Sequence, residues 1–445
     1  MKRILISIDH KWRDLPGHVL LGELLKEKGF KVSYCRNGLE KYYLLYERYD
    51  VVVINHILEP SRQALVTEHS LNGTSFIILP TEGIPTLEDF TDYALGVHLD
   101  YSAIRCYAFW NGFYHNRFEF NTTLKKQNIY IAGVPRFDFY KHQNLQKHMN
   151  FNFSAIGSSK KILWATNFTQ AQFHAPDKFE LMEADARRLG YKDTLESMQG
   201  SLQEVAKQDF VAREKSLEIM VKYIQKHNDA LLVIKPHPSE DSKYYENYFK
   251  IKNISSKRVK IIKNKYIWDL LMWCDVEVSR SCTTAIEAWH LNKPTIDLNP
   301  DPSWYHSARH ASGSYQCHNY EELVTAMDRG LEQNWQEPSE LRAARDAFIN
   351  KYCDGRDGNR TRALAEKISC LPSETKKVRN LNIFNIKLFL IYLSLKYLDN
   401  LPHNLRSYGF SYLLGNRIDK FGRADKHFHN KDIRKWKKII SDVVN

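Results

Sequence analysis

Short apolar runs alternate with longer stretches of helical spacing along the first third of the chain. Residues 17–28 carry apolar side chains three and four positions apart and end at Gly29, which predicts a helix with a glycine stop. Strands that alternate regularly with helices form βαβ units, so this pattern predicts a doubly wound parallel sheet. The predicted strands are residues 4–8, 30–34, 51–55, 76–79, 106–110 and 129–133.

The alternation resumes after a polar stretch at residues 141–159 that is rich in histidine and asparagine. Two Rossmann-like halves that face each other across a cleft are the GT-B arrangement, and we predict an α/β fold of this kind. The predicted domains are residues 1–150 and 151–370, followed by a basic helical extension at 371–445. The predicted elements of the second domain are strands at 161–168, 231–234, 276–278 and 293–298, and helices at 210–227, 285–289, 321–331 and 340–352, with a last helix that ends at 368.

The stretch from residue 230 to residue 299 holds the clearest candidate chemistry. One strand ends at Lys235-Pro236-His237-Pro238, and a later one is followed by Ser281, Thr283 and Thr284 before a helix begins. Ligands of an open α/β sheet gather at the carboxyl ends of its strands, where hydroxyls and free helix amides bind anions. We predict that both motifs hold the phosphates of a nucleotide. For each motif alone, ordinary turn and helix-capping chemistry is the alternative.

Composition indicates a folded protein of at least two domains. The chain has 445 residues, of which 43% are hydrophobic and 13% aromatic, and this excludes a disordered chain. Its seven cysteines are scattered without a CxxC motif, so we expect a reducing cytoplasm and neither disulfides nor a zinc site. The start of the chain is a strand instead of a signal peptide, and no uncharged apolar run is long enough to span a bilayer.

Positive charge is concentrated in the extension. Residues 371–445 contain fifteen Lys and Arg against six Asp and Glu, which is +9 of the net +12. An apolar segment at 383–398 precedes a basic amphipathic helix at 431–440 that contains Trp436. Basic helices with aromatic anchors lie on anionic lipid, so we expect a peripheral protein at the inner face of a bacterial membrane. The alternative is a helical layer that packs on the enzyme or binds a partner protein.

Six blocks in matching order resemble the bacterial surface carbohydrate (surface polysaccharide) biosynthesis proteins, which look like GT-B glycosyltransferases. The combination of an acidic-Gly loop and a His-Pro loop is also similar to sialyltransferases and Kdo transferases. One departure is that Pro80 and Thr81 stand where the surface carbohydrate biosynthesis proteins have further acids. The matching blocks are Lys11–Leu15, Thr81–Gly83, Gly133–Asp138, Ala165–Phe168, Lys235–Pro238 and Ser281–Glu287.

The resemblance implies a glycosyltransferase that moves a CMP-activated ulosonic acid onto a glycan or lipid-linked glycan, as in lipopolysaccharide or capsule synthesis. The acceptor is expected on the first domain and the nucleotide sugar on the second, with the donor as a substrate and no cofactor. A CDP-glycerol-type glycerophosphotransferase is the first alternative, and a non-catalytic polysaccharide-assembly protein is the second. Binding of nucleic acid is disfavoured because the basic charge is confined to the extension.

Glycosyl transfer needs a carboxylate at the sugar and a hydrogen-bond donor at the leaving phosphate. Glu82 is the candidate base, or the acid/base or nucleophile of a retaining enzyme, and a loop cap is the alternative. His237 is the candidate donor, and the alternative is a turn-filling histidine. Glu287 is expected on ribose hydroxyls, with a solvated helix acid as the alternative.

The other candidates serve the nucleotide, the sugar or the acceptor. Asp138 is expected to cap a helix or to pair with Arg136 instead of doing chemistry. No DxD pair stands in a suitable place, so we predict that no metal is needed. The nucleotide candidates are Lys235, Pro238, Ser281, Thr283 and Thr284, and the sugar or acceptor candidates are Asp9, His10, Lys11, Arg13, Gly83 and Asn167.

Overall fold

Contacts within the computed structural model divide the chain into two compact units. The first unit comprises Met1–Gly83, Leu95–Leu145 and Lys351–Asn445, and the second comprises Ile84–Ala94 and Gln146–Asn350. The boundaries predicted at residues 150 and 370 remain predictions. The structure describes residues 1–84, 96–118, 121, 123–141, 147–155, 159–189, 202–302, 309–355, 357–371, 388–389, 392–393 and 428–444.

Each unit contains a parallel sheet of six strands. The order is β2-β1-β3-β4-β5-β6 in the first sheet and β12-β11-β10-β7-β8-β9 in the second. The strand order therefore reverses between β1 and β3 in the first sheet and between β7 and β10 in the second. The predicted α/β class is confirmed, although the three-residue edge strands β9 and β12 were not predicted. The strands are β1 Arg3–Ile8, β2 Lys31–Arg36, β3 Val51–Ile54, β4 Ser75–Ile78, β5 Ile104–Phe109, β6 Ile129–Ile131, β7 Lys160–Ala165, β8 Ala230–Lys235, β9 Val259–Ile261, β10 Val276–Ser279, β11 Thr295–Leu298 and β12 Tyr315–Cys317.

Within the described residues, α-helices follow most of the strands, as in a doubly wound fold. The strands β3, β4, β10 and β11 are buried at every position. This burial accounts for the apolar runs of β3 and β4, whereas β10 and β11 also bury polar side chains. The helix predicted at 210–227 begins earlier, at Leu202. The helices are α1 Leu15–Glu27, α2 Glu40–Tyr46, α3 Pro60–Leu71, α4 Gly112–Arg117, α5 Phe179–Leu189, α6 Leu202–Lys226, α7 Ser242–Ile251, α8 Ile267–Trp273, α9 Thr284–His290, α10 Tyr320–Gly330, α11 Ser339–Tyr352, α12 Arg360–Ser369 and α13 Asn430–Val444.

The last helix, α13, packs on the first unit through its apolar face. Trp436 is fully buried, and its ring lies 5.1 Å from the ring of Phe139 in an edge-to-face contact. The Lys11 ammonium lies 2.9 Å from the Asp432 carboxylate and so ties α13 to the loop after β1. The prediction that this tryptophan anchors in lipid is therefore wrong, since the aromatic ring is used for packing within the unit.

Most of the apolar segment predicted at 383–398 lies outside the described residues. Of the part that is described, the Tyr392 ring contacts Tyr46 at a centroid distance of 5.2 Å. Among the helices that the structure describes, none has both the length and the apolarity of a bilayer-spanning segment.

Asp138 caps α12 from within the first unit. Its carboxylate accepts a hydrogen bond from the backbone N–H of Thr361, in the first turn of that helix, which confirms the predicted capping role. Burial raises the pKa of Asp138 to about 6, although the hydrogen bonds from Thr361 oppose the shift.

We expect Asp138→Asn to remove a pH-dependent part of the stability. The pKa of the folded state lies above the value of about 4 for an unfolded chain, so the carboxyl contributes stability that is full below about pH 4. This contribution is lost as the pH rises through about 6. In urea unfolding at several pH values, the free energy of unfolding of the wild type relative to the variant should fall by roughly 2–3 kcal/mol across that window. A difference that does not change with pH would contradict the prediction.

Candidate active site

In the second unit, three strand-end loops that carry candidate residues are bonded to one another. The loop after β7 contains Asn167, the loop after β8 contains His237, and the loop after β10 contains Ser281. The first two meet at the Glu240 carboxylate, and the third reaches the first through the buried Arg280. The sequence pattern had placed these loops at the carboxyl ends of strands but had not identified the residues that join them.

His237 lies half-buried in a turn that fixes the tautomer of its ring. The backbone N–H of Ser239 lies 3.2 Å from His237 Nδ1, and the Ser239 hydroxyl lies 2.7 Å from it. A backbone N–H can only donate, so Nδ1 is an acceptor and the proton of the neutral ring is on Nε2. The turn therefore places the N–H of the neutral ring at Nε2, which is the kind of group that can donate to a phosphate oxygen.

Glu240 is a buried residue that the sequence analysis missed. Its Oε1 accepts from Thr166 Oγ1 at 2.9 Å, from the Phe168 backbone N–H at 3.2 Å and from the His237 backbone N–H at 3.1 Å. Its Oε2 accepts from the Tyr245 hydroxyl. Burial raises the pKa of Glu240, while these donors favour the ionised form. One carboxylate thus joins the loops after β7 and β8.

Arg280 is fully buried at the end of β10. Its Nη1 lies 2.6 Å from Asp209 Oδ1, and its Nε donates to Asn299 Oδ1 at 3.0 Å. The second oxygen of Asp209 accepts from the backbone N–H groups of Gln170 and Ala171, so the same acid also holds the segment after β7. Burial lowers the pKa of Arg280, and Asp209 opposes that shift.

The turn after β10 offers fewer free amides than predicted. Ser281 adopts a left-handed conformation with φ of 50°, and its backbone N–H donates to Asp297 Oδ1 at 2.7 Å. Within the described ranges, the N–H groups of Cys282 and Thr283 have no hydrogen-bond partner, whereas the N–H of Thr284 donates to the Cys282 sulfur. The predicted anion site at the start of α9 is therefore reduced to these two amides and the nearby hydroxyls.

The other candidates of the second unit lie outside the network formed by Glu240 and Arg280. Glu287 is buried at 3% exposure, so the alternative of a solvated helix acid is wrong. The Lys235 ammonium lies 3.2 Å from the carbonyl oxygen of Lys263. Pro238 is half-buried beside His237, and the Asn167 amide makes no hydrogen bond within the described part of the chain.

In the first unit, the Pro80–Gly83 loop after β4 is held by three side chains. Trp110 Nε1 donates to the Pro80 carbonyl at 2.9 Å, and Arg136 Nη1 donates to the Thr81 carbonyl at 2.7 Å. Asn111 Nδ2 donates to the Gly83 carbonyl at 3.4 Å. Gly83 lies on the Trp110 ring so closely that an added Cβ would be 2.4 Å from the indole. The glycine is therefore required by packing on tryptophan.

Arg13 brings Glu82 and the loop after β1 together. Its guanidinium forms a fork on the Asp14 carboxylate, at 2.8 and 3.1 Å, and also contacts Glu82. The Glu82 side chain remains 59% exposed. Burial would raise the pKa of Asp14, but Arg13 holds that pKa well below its usual range. Two predicted site residues, Arg13 and Glu82, are thus adjacent.

The remaining candidates of the loop after β1 have other contacts. Asp9 accepts from Asn37 Nδ2 at 2.7 Å, and the buried His10 donates its backbone N–H to Asp14 at 3.1 Å. Lys11 pairs with α13 as described. No group of three or more His, Cys, Asp or Glu side chains that could hold a metal ion occurs in the ranges that the structure describes. Metal-independent transfer stays a prediction.

Two Rossmann-like α/β units with parallel sheets define a fold of the GT-B class. The profile of the family described as CDP-glycerol:poly(glycerophosphate) glycerophosphotransferase matches residues 106–369, more than half of the chain. The chain belongs to this family. The match includes every candidate of the second unit and none of those between Asp9 and Gly83. Comparison with curated proteins gives no match.

Solved structures resemble this chain at low sequence identity. A UDP complex of S. aureus MnaA is 11% identical, with a TM-score of 0.50 over 85% of this chain and 100% of that chain. A variant of the wall teichoic acid polymerase TagF is 13% identical, with a TM-score of 0.49 over 82% and 88%. The N. meningitidis UDP-GlcNAc 2-epimerase bound to UDP-GlcNAc is 12% identical, with a TM-score of 0.49 over 82% and 99%. The MnaA likeness supports the fold alone.

We expect Gly83→Ala to destabilise the first unit. The new methyl group would overlap the Trp110 ring, which is 1% exposed and is held by its bond to Pro80, so the loop must shift. Overpacking of this kind costs about 1–3 kcal/mol. Chemical denaturation of the purified variant measures the loss.

Gly112→Ala is the matched control, because its added Cβ would meet only Ile131 Cδ1 at 3.7 Å, an ordinary contact. Its stability should stay within about 0.5 kcal/mol of the wild type. If Gly83→Ala is as stable as this control, the loop does not rest on Trp110 as described.

Proposed function

We propose that the protein transfers glycerol phosphate from CDP-glycerol to a hydroxyl group of a cell-surface polymer or its lipid-linked precursor. The observation that carries the proposal is the family match over residues 106–369, which contain the His237 loop and the turn after β10. The match supports this alternative better than the transfer of a CMP-activated ulosonic acid. The donor is a substrate, and no resident cofactor is part of the proposal.

The proposed reaction is a displacement at the phosphorus that carries glycerol. The acceptor oxygen forms a bond to that phosphorus, the bond to the bridging oxygen of the diphosphate breaks, and CMP departs. The acceptor hydroxyl proton passes to a base. Such a reaction is promoted mainly by positioning and by neutralising charge on the leaving phosphate.

His237 is the proposed donor to the departing CMP phosphate. The turn at Ser239 leaves the ring proton on Nε2, which suits a donor to a phosphate oxygen. The amides of Cys282 and Thr283 and the hydroxyls of Ser281, Thr283 and Thr284 are the proposed phosphate cradle, with Lys235 beside the His-Pro loop. Glu287, although buried, is kept as the proposed contact of the ribose.

Glu82 is the proposed base on the acceptor hydroxyl. Its carboxylate is exposed, while its loop is fixed by Trp110 and Arg136, so the base has a defined place and access to solvent. Arg13 is proposed to orient it. Asp9, His10 and Lys11 remain proposed acceptor contacts, although Lys11 must release Asp432 to serve in this way.

We expect His237→Ala and Glu82→Gln to lose turnover with CDP-glycerol while they keep their affinity for CDP. Loss of one phosphate donor lowers the rate about 10²–10³-fold, and removal of the base lowers it about 10²–10⁴-fold. The assay is release of CMP together with a glycerol phosphate adduct on a glycerophosphate acceptor. Calorimetric affinity for CDP confirms that each variant is folded.

CMP-linked sugars are the control donors in this assay. Turnover of a CMP-sugar by the wild type without turnover of CDP-glycerol would reject the proposed donor. Turnover of CDP-glycerol by folded His237→Ala at the wild-type rate would instead remove the histidine from the mechanism.

We also propose that α13 holds the protein on anionic lipid by charge alone. Its apolar face is buried, but four cations are exposed at helical spacing along the opposite face. Each Lys or Arg near an anionic surface contributes about 1 kcal/mol to binding, and salt screens the attraction. The exposed cations of α13 are Lys431, Arg434, Lys435 and Lys438.

Replacing these four cations by glutamine should weaken binding to phosphatidylglycerol vesicles by roughly a hundredfold or more at low salt. Vesicle co-sedimentation measures the binding. The matched control replaces four exposed lysines of α6 and makes the same change in net charge. Equal loss in both variants would show that total charge, and not the α13 stripe, governs binding. The control lysines are Lys207, Lys215, Lys222 and Lys226.

A further inference from the structure

We propose that Glu240 is a positioning residue that holds His237 and Asn167 in one rigid frame. The inference rests on the proposed role of His237 and adds a residue that acts through it. Glu240 is 4% exposed. Its contribution is made through backbone and side-chain bonds to the two loops that carry the candidate groups.

Glu240 closes the His-Pro turn from both ends. Its backbone N–H donates to the His237 carbonyl at 2.9 Å, and its side chain accepts from the His237 N–H at 3.1 Å. The Glu240 carbonyl in turn accepts from Lys263 Nζ at 2.6 Å. His237 is thus fixed at both its N–H and its C=O, and the turn presents the N–H of Ser239 to the imidazole.

The same carboxylate oxygen fixes the residues on either side of Asn167. Thr166 donates to it through its hydroxyl and Phe168 through its backbone N–H, at 2.9 and 3.2 Å. Asn167 therefore cannot shift relative to His237 without breaking bonds to a buried acid. A displacement of about 1 Å in a reacting group costs up to 10²-fold in rate, so this coupling has a kinetic consequence.

The geometry makes glutamine an adequate substitute and alanine an inadequate one. Glutamine keeps an oxygen for the three donors at Oε1, and its NH₂ group can donate to the Tyr245 hydroxyl, which can reverse its role. Alanine removes the acceptor of two backbone N–H groups and two hydroxyls. A role based on negative charge would instead make the two variants equally poor.

We expect Glu240→Ala to lower kcat with CDP-glycerol about a hundredfold, while the Kd for CDP changes by less than about threefold. Glu240→Gln should stay within about fivefold of the wild type. The ¹⁵N imidazole signal of His237, assigned with His237→Asn, should lose its Nε2–H signature in the alanine variant and keep it in the glutamine variant. If the alanine variant does not fold, Thr166→Val, which removes one donor, takes its place with a smaller loss in kcat.

Glu337→Ala is the control, since Glu337 is a half-buried acid of the same unit that pairs with Arg345 and has no hydrogen bond to either loop. It should lower stability without moving kcat or the His237 signal. An unchanged His237 signal in Glu240→Ala, or a glutamine variant as impaired as the alanine one, overturns the proposal. If CDP-glycerol is not the donor, neither the wild type nor any variant will turn it over. The imidazole signal of His237 still tests whether Glu240 positions that ring.

Discussion

Buried carboxylates that accept backbone N–H groups organise the strand-end loops of this protein. A loop at the end of a parallel strand leaves amides without partners, and a buried unpaired amide costs as much as a lost hydrogen bond. Glu240, Asp209 and Asp297 accept such amides in the second unit, and Asp14 does so in the first. Each acid gains donors that offset its own desolvation. The candidate residues occupy loops that these acids hold in place, except for the loop of Glu82 and Gly83, which Trp110, Asn111 and Arg136 hold.

The strands and the strand-end location of the candidates could be predicted because a parallel sheet buried on both faces leaves continuous apolar runs. The acids that join the loops could not be predicted from the sequence. Asp209 lies in the middle of α6, 71 positions from its partner Arg280, and no local pattern links them. For Glu240 the sequence offers only a weak indication, which is an acidic residue three positions after His237. Amphipathicity likewise predicted α13, but periodicity does not tell whether lipid or the first unit covers Trp436.

The pairing of Glu82 with Arg13 suits a base better than a structural link. An ion pair with one partner 59% exposed contributes little stability, because water screens it and the side chains lose freedom. Arg13 itself is fixed by its fork on Asp14. Glu82 can therefore exchange its arginine contact for a substrate hydroxyl at low cost, while the arginine stays in place. The single acid of this loop is thus consistent with a mechanism that needs one carboxylate.

The chemistry of the leaving group explains why the sequence motifs do not separate the two donor classes. A CMP-activated sugar and CDP-glycerol both release CMP, so a histidine turn and a hydroxyl-rich turn that bind its phosphate suit either donor. The two donors differ in the group that is transferred and in the atom that is attacked, which is carbon in one and phosphorus in the other. Residues around the leaving phosphate report the part that is common to both. The family profile favours CDP-glycerol as the donor, because it matches residues 106–369 as a whole and not only the loops around the leaving phosphate.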